Sequence, residues 1–422
     1  MEQVQQRSPW WWVPSLYFGQ GIPYFAVMSL STTMYKNTGI SNTDIAFYTS
    51  WLYLPWIIKP LWSPLVEMFG TKRGWVVLLQ MAIAASLAAV AFTTPLPHFF
   101  QLSLAAMWLI AFSSATHDIA ADGFYMLGMR QKEQAAYVGV RSTFYRIANV
   151  ACNGGLTYIA GSLIKQSGNP HLAWGIVFGI MSAIFGALAI YHLFMLPRPA
   201  DDRKKTAHTG NPFGEFFNTF AAFFRKDGIV VILLFLLTFR LGESQLLKMA
   251  VPFMLDPVDK GGLGLDTSEL GIAYGTIGVI ALTIGGLLGG YVISRFGLKR
   301  CLWPMAFITH VPDLVFVWLS HAMPENFYLI SAAIGAEQFG YGFGFASYLM
   351  YMIMVAEGEH KTAHYAICTG FMALGMMVPQ MASGWIQDHL GYPNFFIWAC
   401  MATIPAFIVT AMVKVDPEFG RG

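Results

Sequence analysis

The chain has 422 residues, 56% of them hydrophobic and 11% charged, with a mean hydropathy of +0.52. Soluble domains carry about 25% charged residues, so this deficit excludes an ordinary globular domain and points to a polytopic membrane protein. The formal net charge of +2 gives no basis for nucleic-acid binding.

Stretches of about 20 apolar residues bounded by turn signals predict an all-α polytopic membrane protein with 12 transmembrane helices. The predicted spans are 10–35, 43–68, 75–94, 98–128, 133–165 and 172–196, then 228–255, 267–293, 301–320, 326–355, 362–388 and 393–414. Arg7 ahead of Trp10, Trp11 and Trp12 gives the start the look of a signal peptide. Its apolar run continues to about Tyr35 without a small-residue cleavage site, so it is read as a retained first span. The three tryptophans and Trp75 sit where interfacial anchors belong. Pro14, Pro23, Pro55, Pro60 and Pro64 are expected to kink the first two spans. Cys152, Cys301, Cys368 and Cys400 all fall in apolar runs without CxxC spacing, which predicts free buried thiols and no metal site.

The one long polar segment, Pro197 to Asp227, reads as a solvated linker between an N-terminal half, 1–196, and a C-terminal half, 228–422. Within it, Pro212 to Arg225 is amphipathic and suited to a membrane surface. With the N-terminus placed in the cytoplasm, 17 of the 25 lysines and arginines fall on the cytoplasmic side and only Lys36, Lys165 and Lys260 on the other. This asymmetry predicts that both termini are cytoplasmic. Lys59, Arg141, Arg146, Arg240 and Lys248 remain inside spans, with Lys248 near enough to the outer end to snorkel.

The segment from Ser113 to Phe124 places His117, Asp118 and Asp122 in an otherwise apolar span. A carboxylate at mid-bilayer costs at least about 2.5–3.5 kcal/mol, so such residues face a bundle interior or a wet cavity. Asp118 and Asp122 share one helix face. In an antiparallel hairpin of the fourth and fifth spans, Arg141 lies at the depth of Asp122 and Arg146 at that of Asp118. Two ion pairs are therefore expected. A structural salt-bridge network and a proton- or substrate-responsive switch both fit that pattern. In the seventh span Arg240 and Glu243 are three apart and can pair. In the tenth, Glu337 and Gln338 precede Tyr341, and Glu337 has no evident partner nearby in sequence, a property suited to a proton carrier or to a carboxyl bonded across helices. His310 and Asp313, flanking Pro312, read chiefly as helix packing. Gln20, Tyr24, Tyr48, Trp51, Tyr53 and Trp56 supply rings, amides and hydroxyls that suit a sugar, although core packing explains any one of them as well. No nucleotide-hydrolysing loop, zinc-protease motif or nucleophile elbow is present, so no enzyme activity or cofactor is expected, and transport must run on a gradient.

An internal repeat sets the architecture. Glu67-Met68-Phe69-Gly70-Thr71-Lys72-Arg73 follows the second span, and Ser294-Arg295-Phe296-Gly297-Leu298-Lys299-Arg300 follows the eighth. Both resemble the cytoplasmic signature turn of the major facilitator superfamily, which is built from two pseudo-symmetric six-helix halves. Gly19-Gln20-Gly21-Ile22-Pro23, Lys59-Pro60-Leu61-Trp62-Ser63-Pro64-Leu65-Val66-Glu67 and His117-Asp118-Ile119-Ala120-Ala121-Asp122-Gly123-Phe124 resemble the AmpG-type muropeptide permeases and the related acetyl-CoA transporter family. The resemblance implies proton-driven import of N-acetylglucosamine–anhydro-N-acetylmuramic acid, with or without peptide, across a bacterial inner membrane. It carries the paired carboxylates over to Asp118 and Asp122 and the lysine to Lys59. His117 and Gly123-Phe124 depart from the muropeptide pattern, and Asp122-Gly123 is closer to the acetyl-CoA branch.

The expectation is a monomeric alternating-access transporter whose halves rock about a site on the first, fourth, seventh and tenth spans. Asp118, Asp122 and Glu337 are the candidate proton carriers. Gln20, Tyr24, Lys59, Arg141, Arg146, Arg240, Glu243, Gln338 and Tyr341 are the candidate substrate contacts. An acyl-CoA-like or other organic anion is the alternative cargo, and a membrane receptor or enzyme without net transport is the alternative class.

Overall fold

Long apolar segments satisfy their backbone groups in a bilayer only by coiling into helices or closing into barrels. The computed structural model takes the first course, with no strand among the described residues, which are 8–129, 131–199, 202, 212–358 and 361–420. Nine helices among them are long and apolar enough to cross a membrane. The last of these, Ala363–Met412, folds back at Gly391, where φ is +71°, and so contains the eleventh and twelfth spans. The first two spans make twelve. The first runs through Val13–Phe25, a wide π-helical stretch Ala26–Leu30, and Ser31–Asn37. The second is cut into Asn42–Trp51, Leu54–Ile58, a 3-10 turn Lys59–Leu61 and Ser63–Met68. Pro55, Pro60 and Pro64 each sit at the start of one of these pieces, the position at which a missing N–H costs nothing.

The remaining spans are Lys72–Thr93, Phe99–Gly128, Gly139–Ser167, Pro170–Met195, Ile229–Leu255, Thr267–Phe296, Leu298–Ala322 and Phe327–Ala356, the third to the tenth. Much of the predicted polar linker lies outside the described residues; its later part, Pro212–Phe224, is a helix.

By packing, the chain forms two units, Met1–Met34 with Ile58–Thr209, and Tyr35–Ile57 with Gly210–Gly422. In the first unit the core gathers Trp12, Leu16, Val76, Ala120 and Phe124. Trp12 is fully buried, its ring edge-on to Phe124 at 5.2 Å, so it is a core residue and not the interfacial anchor expected of it. Trp10 and Trp11 remain exposed. In the second unit one cluster gathers Phe253, Phe316, Tyr392 and Phe396, and another Phe235, Phe239, Tyr348 and Tyr351.

The repeated turns share one backbone device. Gly70 and Gly297 occupy matching positions and both take positive φ, +71° and +77°, which a side-chain-bearing residue adopts only with strain. Each turn also ties in a distant strand of chain. The Lys72 and Arg73 amides at the start of the third span donate to Asp202 at 2.7 and 3.1 Å. In the other copy the Leu298 amide donates to the Phe419 carbonyl at 3.0 Å.

Candidate functional site

The fourth span brings Asp118 and Asp122 to one face, and three other segments of the first unit meet them there. Gln20 Nε2 donates to Asp118 Oδ1 at 2.9 Å, and Lys59 Nζ stands 3.6 Å from Oδ2. One turn along, Arg141 reaches Asp122 at 2.8 Å, and the Tyr17 hydroxyl donates to the same oxygen at 3.3 Å. The Arg141 guanidinium also lies over the Tyr17 ring, 4.4 Å from its centroid, a cation–π contact that fixes its direction. Access differs within this group: the side chains of Asp122 and Arg141 are 41% and 35% exposed, that of Asp118 only 14%.

The expected pairing of Asp118 with Arg146 does not occur. Antiparallel register places residues at equal depth but says nothing about direction around the helix. Arg141 and Arg146 are five residues apart, which puts them about 140° apart in azimuth, whereas Asp118 and Asp122 differ by only about 40°. Once Arg141 faces Asp122, Arg146 cannot face Asp118. Lys59 and Gln20 take its place, and Arg146, half-buried, forms no ion pair among the described residues. Tyr24 is likewise half-buried, edge-on to Phe25 at 5.3 Å.

His117 points away from the acids into a hydrogen-bond chain whose members Gln80, His117 and His192 are fully buried. Gln80 Nε2 lies 3.1 Å from His117 Nε2, Gln80 Oε1 2.9 Å from His192 Nδ1, and His192 Nε2 2.9 Å from Ser15 Oγ. With the Gln80 amide donating to His117 Nε2 and accepting from His192 Nδ1, His117 carries its proton on Nδ1 and His192 donates from its Nδ1. Tyr17, Gln80, His192 and Ser15 were not singled out from the sequence. The signal available was a lone polar residue in an apolar run, as at Gln80 in Leu79-Gln80-Met81.

In the second unit the seventh span breaks at Phe239–Arg240 between Ile229–Thr238 and Leu241–Leu255. The break aims Arg240 across to Glu243 in the first helical turn, where a carboxylate is also favoured by the helix dipole. Arg240 Nε and Nη2 bond the two Glu243 oxygens at 2.7 Å each, and Nη2 also donates to the Tyr341 hydroxyl at 2.6 Å. Glu243 is fully buried. Lys248 does not snorkel: it is buried and donates to Thr49. Glu337 is fully buried, with Oε2 accepting from its neighbour Gln338 at 2.9 Å and Oε1 unbonded. The two groups of predicted residues thus assemble separately: Gln20, Lys59, Asp118, Asp122 and Arg141 in the first unit, Arg240, Glu243 and Tyr341 in the second.

Cavities among the described residues also lie elsewhere. One of about 900 Å³ sits between the third and sixth spans, lined by Phe92, Pro95, Ile176 and Gly179. Another of about 670 Å³ is polar, lined by Lys36, Asn42, Asp256, Gln387 and Tyr392. Beside it Lys36 pairs with Asp256 at 2.6 Å, and Asn42 donates to Gln387 at 2.7 Å. No group of three metal-ligating side chains occurs among the described residues, and the four cysteines are free, Cys400 being only partly buried.

A protein of Rickettsia conorii named as transporter AmpG 4 is 26% identical over 403 residues, 92% of each chain. The anhydromuropeptide permease of Escherichia coli is 24% identical over 416 residues, 96% of this chain and 79% of that one. Among solved structures, the nucleoside transporter NupG superposes with a TM-score of 0.71 at 15% identity, over 95% of this chain and 99% of that one. A bacterial homolog of the human lysosomal transporter Spinster gives 0.66 at 15% identity, covering 96% of both. These likenesses share the fold of twelve helices described above. The profile of the Major Facilitator Superfamily matches residues 15–282, more than half of the chain. Buried charge on broken helices, the repeated basic turn and that match lead to one conclusion: the chain belongs to the Major Facilitator Superfamily, as a multi-pass membrane transporter of small molecules and not an enzyme.

Proposed function

We propose that the protein imports anhydro-muropeptides, N-acetylglucosamine–anhydro-N-acetylmuramic acid with or without peptide, by proton-coupled alternating access. The observation that carries this reading is the charged face of the fourth span, where Gln20 and Lys59 hold a largely buried Asp118 while Asp122, held by Arg141, stays accessible. A dry, locked pair serves structure alone, whereas a wet one can exchange protons and meet a solute. The relatives named AmpG and anhydromuropeptide permease point to the same cargo. Arg146 supplies an uncommitted guanidinium for the carboxylate of the muramic acid, a charge that planar two-point hydrogen bonding suits. Tyr24 supplies a ring for a sugar face. In this reading the protein works as a monomer in a bacterial inner membrane with both termini cytoplasmic, and 1–196 and 228–422 act as the two halves.

The acetyl-CoA-like alternative rests on Asp122-Gly123, while His117 only departs from the muropeptide pattern. His117 lies in the buried chain with Gln80 and His192, away from the carboxylates, so this departure does not touch the charge pattern that a cargo would meet. The test is uptake of labelled disaccharide into proteoliposomes under an imposed pH gradient. Accumulation that a protonophore abolishes, and that Asp118→Asn or Asp122→Asn removes at normal abundance, is the expected outcome. Uptake indifferent to the gradient, or full uptake by both variants, rejects the coupling; binding of acetyl-CoA in place of the disaccharide rejects the cargo.

A further inference from the structure

The ninth span breaks at Val311–Asp313, a 3-10 turn around Pro312 between Leu298–His310 and Leu314–Ala322. The tenth span packs against that break almost backbone to backbone. A Cβ at Gly340 would lie 2.6 Å from Pro312 Cγ and 2.7 Å from the Ile308 carbonyl. His310 and Asp313, from the broken span, and Glu337, from the tenth, are 3%, 1% and 0% exposed. Their polar atoms are poorly matched: both Asp313 oxygens and Glu337 Oε1 lack a hydrogen bond, His310 has only the Phe239 backbone in reach, and His310 Nδ1 stands 3.9 Å from Asp313 Oδ2, too far for a hydrogen bond. The His310 ring is held between Phe239 at 5.2 Å and Phe407 at 5.5 Å.

Charge balance then decides what the cluster can hold. The groups in electrostatic reach are Arg240 and Glu243 on the seventh span, Tyr274 on the eighth, Tyr341 on the tenth and Cys400 on the twelfth. Arg240 is already neutralised by its two bonds to Glu243. What remains is two carboxyls and an imidazole, so full ionisation leaves net negative charge in a site from which water is excluded. Such charge is relieved by taking up a cation. An imidazole between two carboxyls favours a proton over an alkali ion, which needs several oxygens.

We propose that His310, Asp313 and Glu337 form a proton-binding site of the second unit, distinct from the Asp118–Asp122 group. The site deepens the proton-coupled transport proposed above and rests on it for its role in the cycle. A proton taken up on one carboxyl removes one of two buried negative charges, and its departure restores the unpaired charge that drives the broken ninth span to rearrange. The seventh-span pair, by contrast, is closed by its own two hydrogen bonds.

The test compares two modes of transport in proteoliposomes with the labelled disaccharide, and adds infrared titration of the purified protein without any substrate. In Asp313→Asn and Glu337→Gln, accumulation driven by a pH gradient falls at least about tenfold more than disaccharide counterflow, which needs no net proton movement. The wild type shows a protonated-carboxyl band near neutral pH that each variant diminishes. Equal loss of both transport modes, or a band unchanged in both variants, overturns the site. A band replaced by sodium-dependent stabilisation at neutral pH also overturns it, in favour of an alkali ion. Wild-type protein that shows the band but moves no disaccharide removes the muropeptide reading and leaves the proton site standing. The two carboxyl variants lie on separate spans, so failure of one to fold leaves the other to decide.

Discussion

Two arginine–carboxylate pairs of nearly equal length do different work. Arg141 and Asp122 meet at 2.8 Å with more than a third of each side chain exposed; Arg240 and Glu243 meet at 2.7 Å with 5% and 0% exposed. In the first unit water competes for both ions, so the pair forms and breaks at little cost and is worth at most about 1 kcal/mol. In the second the bidentate geometry and the Tyr341 hydroxyl compensate two desolvated ions, and removing either strands the other in a medium that cannot solvate it. Bond length is therefore a poor guide to what a buried charge contributes; access to water decides.

The largest expected effect that would break this contrast is on the dry pair. Glu243→Gln should lower unfolding stability by about 3–5 kcal/mol, read as thermal unfolding in detergent, while Arg240→Met combined with Glu243→Met recovers most of the loss. A Glu243→Gln protein as stable as Asp122→Asn would end the distinction. Next comes Gln80→Leu, which leaves ring nitrogens of His117 and His192 without partners in the core and should cost about 1–3 kcal/mol. Asp122→Asn should change stability by no more than about 1 kcal/mol even as it removes transport, so abundance and uptake separate. The smallest stability effect belongs to Arg146→Gln, within about 0.5 kcal/mol of wild type, since no ion pair is lost. That variant sharpens the comparison differently: its half-saturating disaccharide concentration should rise about tenfold, the loss of one charge-assisted hydrogen bond.

The same contrast explains what was legible in the sequence. Pairs within one helix, Arg240 with Glu243, follow from spacing alone. Asp122 with Arg141 followed from depth in a hairpin. Asp118 with Arg146 failed on azimuth, which depth cannot supply. The twelve spans and the matching turns at Gly70 and Gly297 were readable because hydropathy and left-handed glycines are local properties. Contacts that join three or four spans were not: Ser15, Gln80, His117 and His192 are far apart in the chain, and each alone is one polar residue in an apolar run. Lys36, Asn42, Asp256 and Tyr392 were missed for the same reason, since the segment Tyr35–Ile57 packs with the second unit. His310 and Asp313 read from the sequence chiefly as helix packing; their burial against the tenth span with unmatched polar atoms is visible only in three dimensions.

Wide turns remain to be accounted for. Ala26–Leu30 in the first span and Ala151–Leu156 in the fifth are both π-helical, and they touch each other in the first unit. A π turn carries one residue more than the α turn that it replaces. Deleting a single residue from Ala151–Leu156 can therefore relax that stretch to ordinary winding and keep Arg141 and the residues on either side in phase. The same deletion in the uninterrupted helix Phe99–Gly128, placed before Asp118, has no slack to draw on and would swing both aspartates about 100° off their partners. The first unit thus has its spare length stored beside the charged face, in the two helices that hold Gln20 and Arg141, and none in the helix that holds the acids.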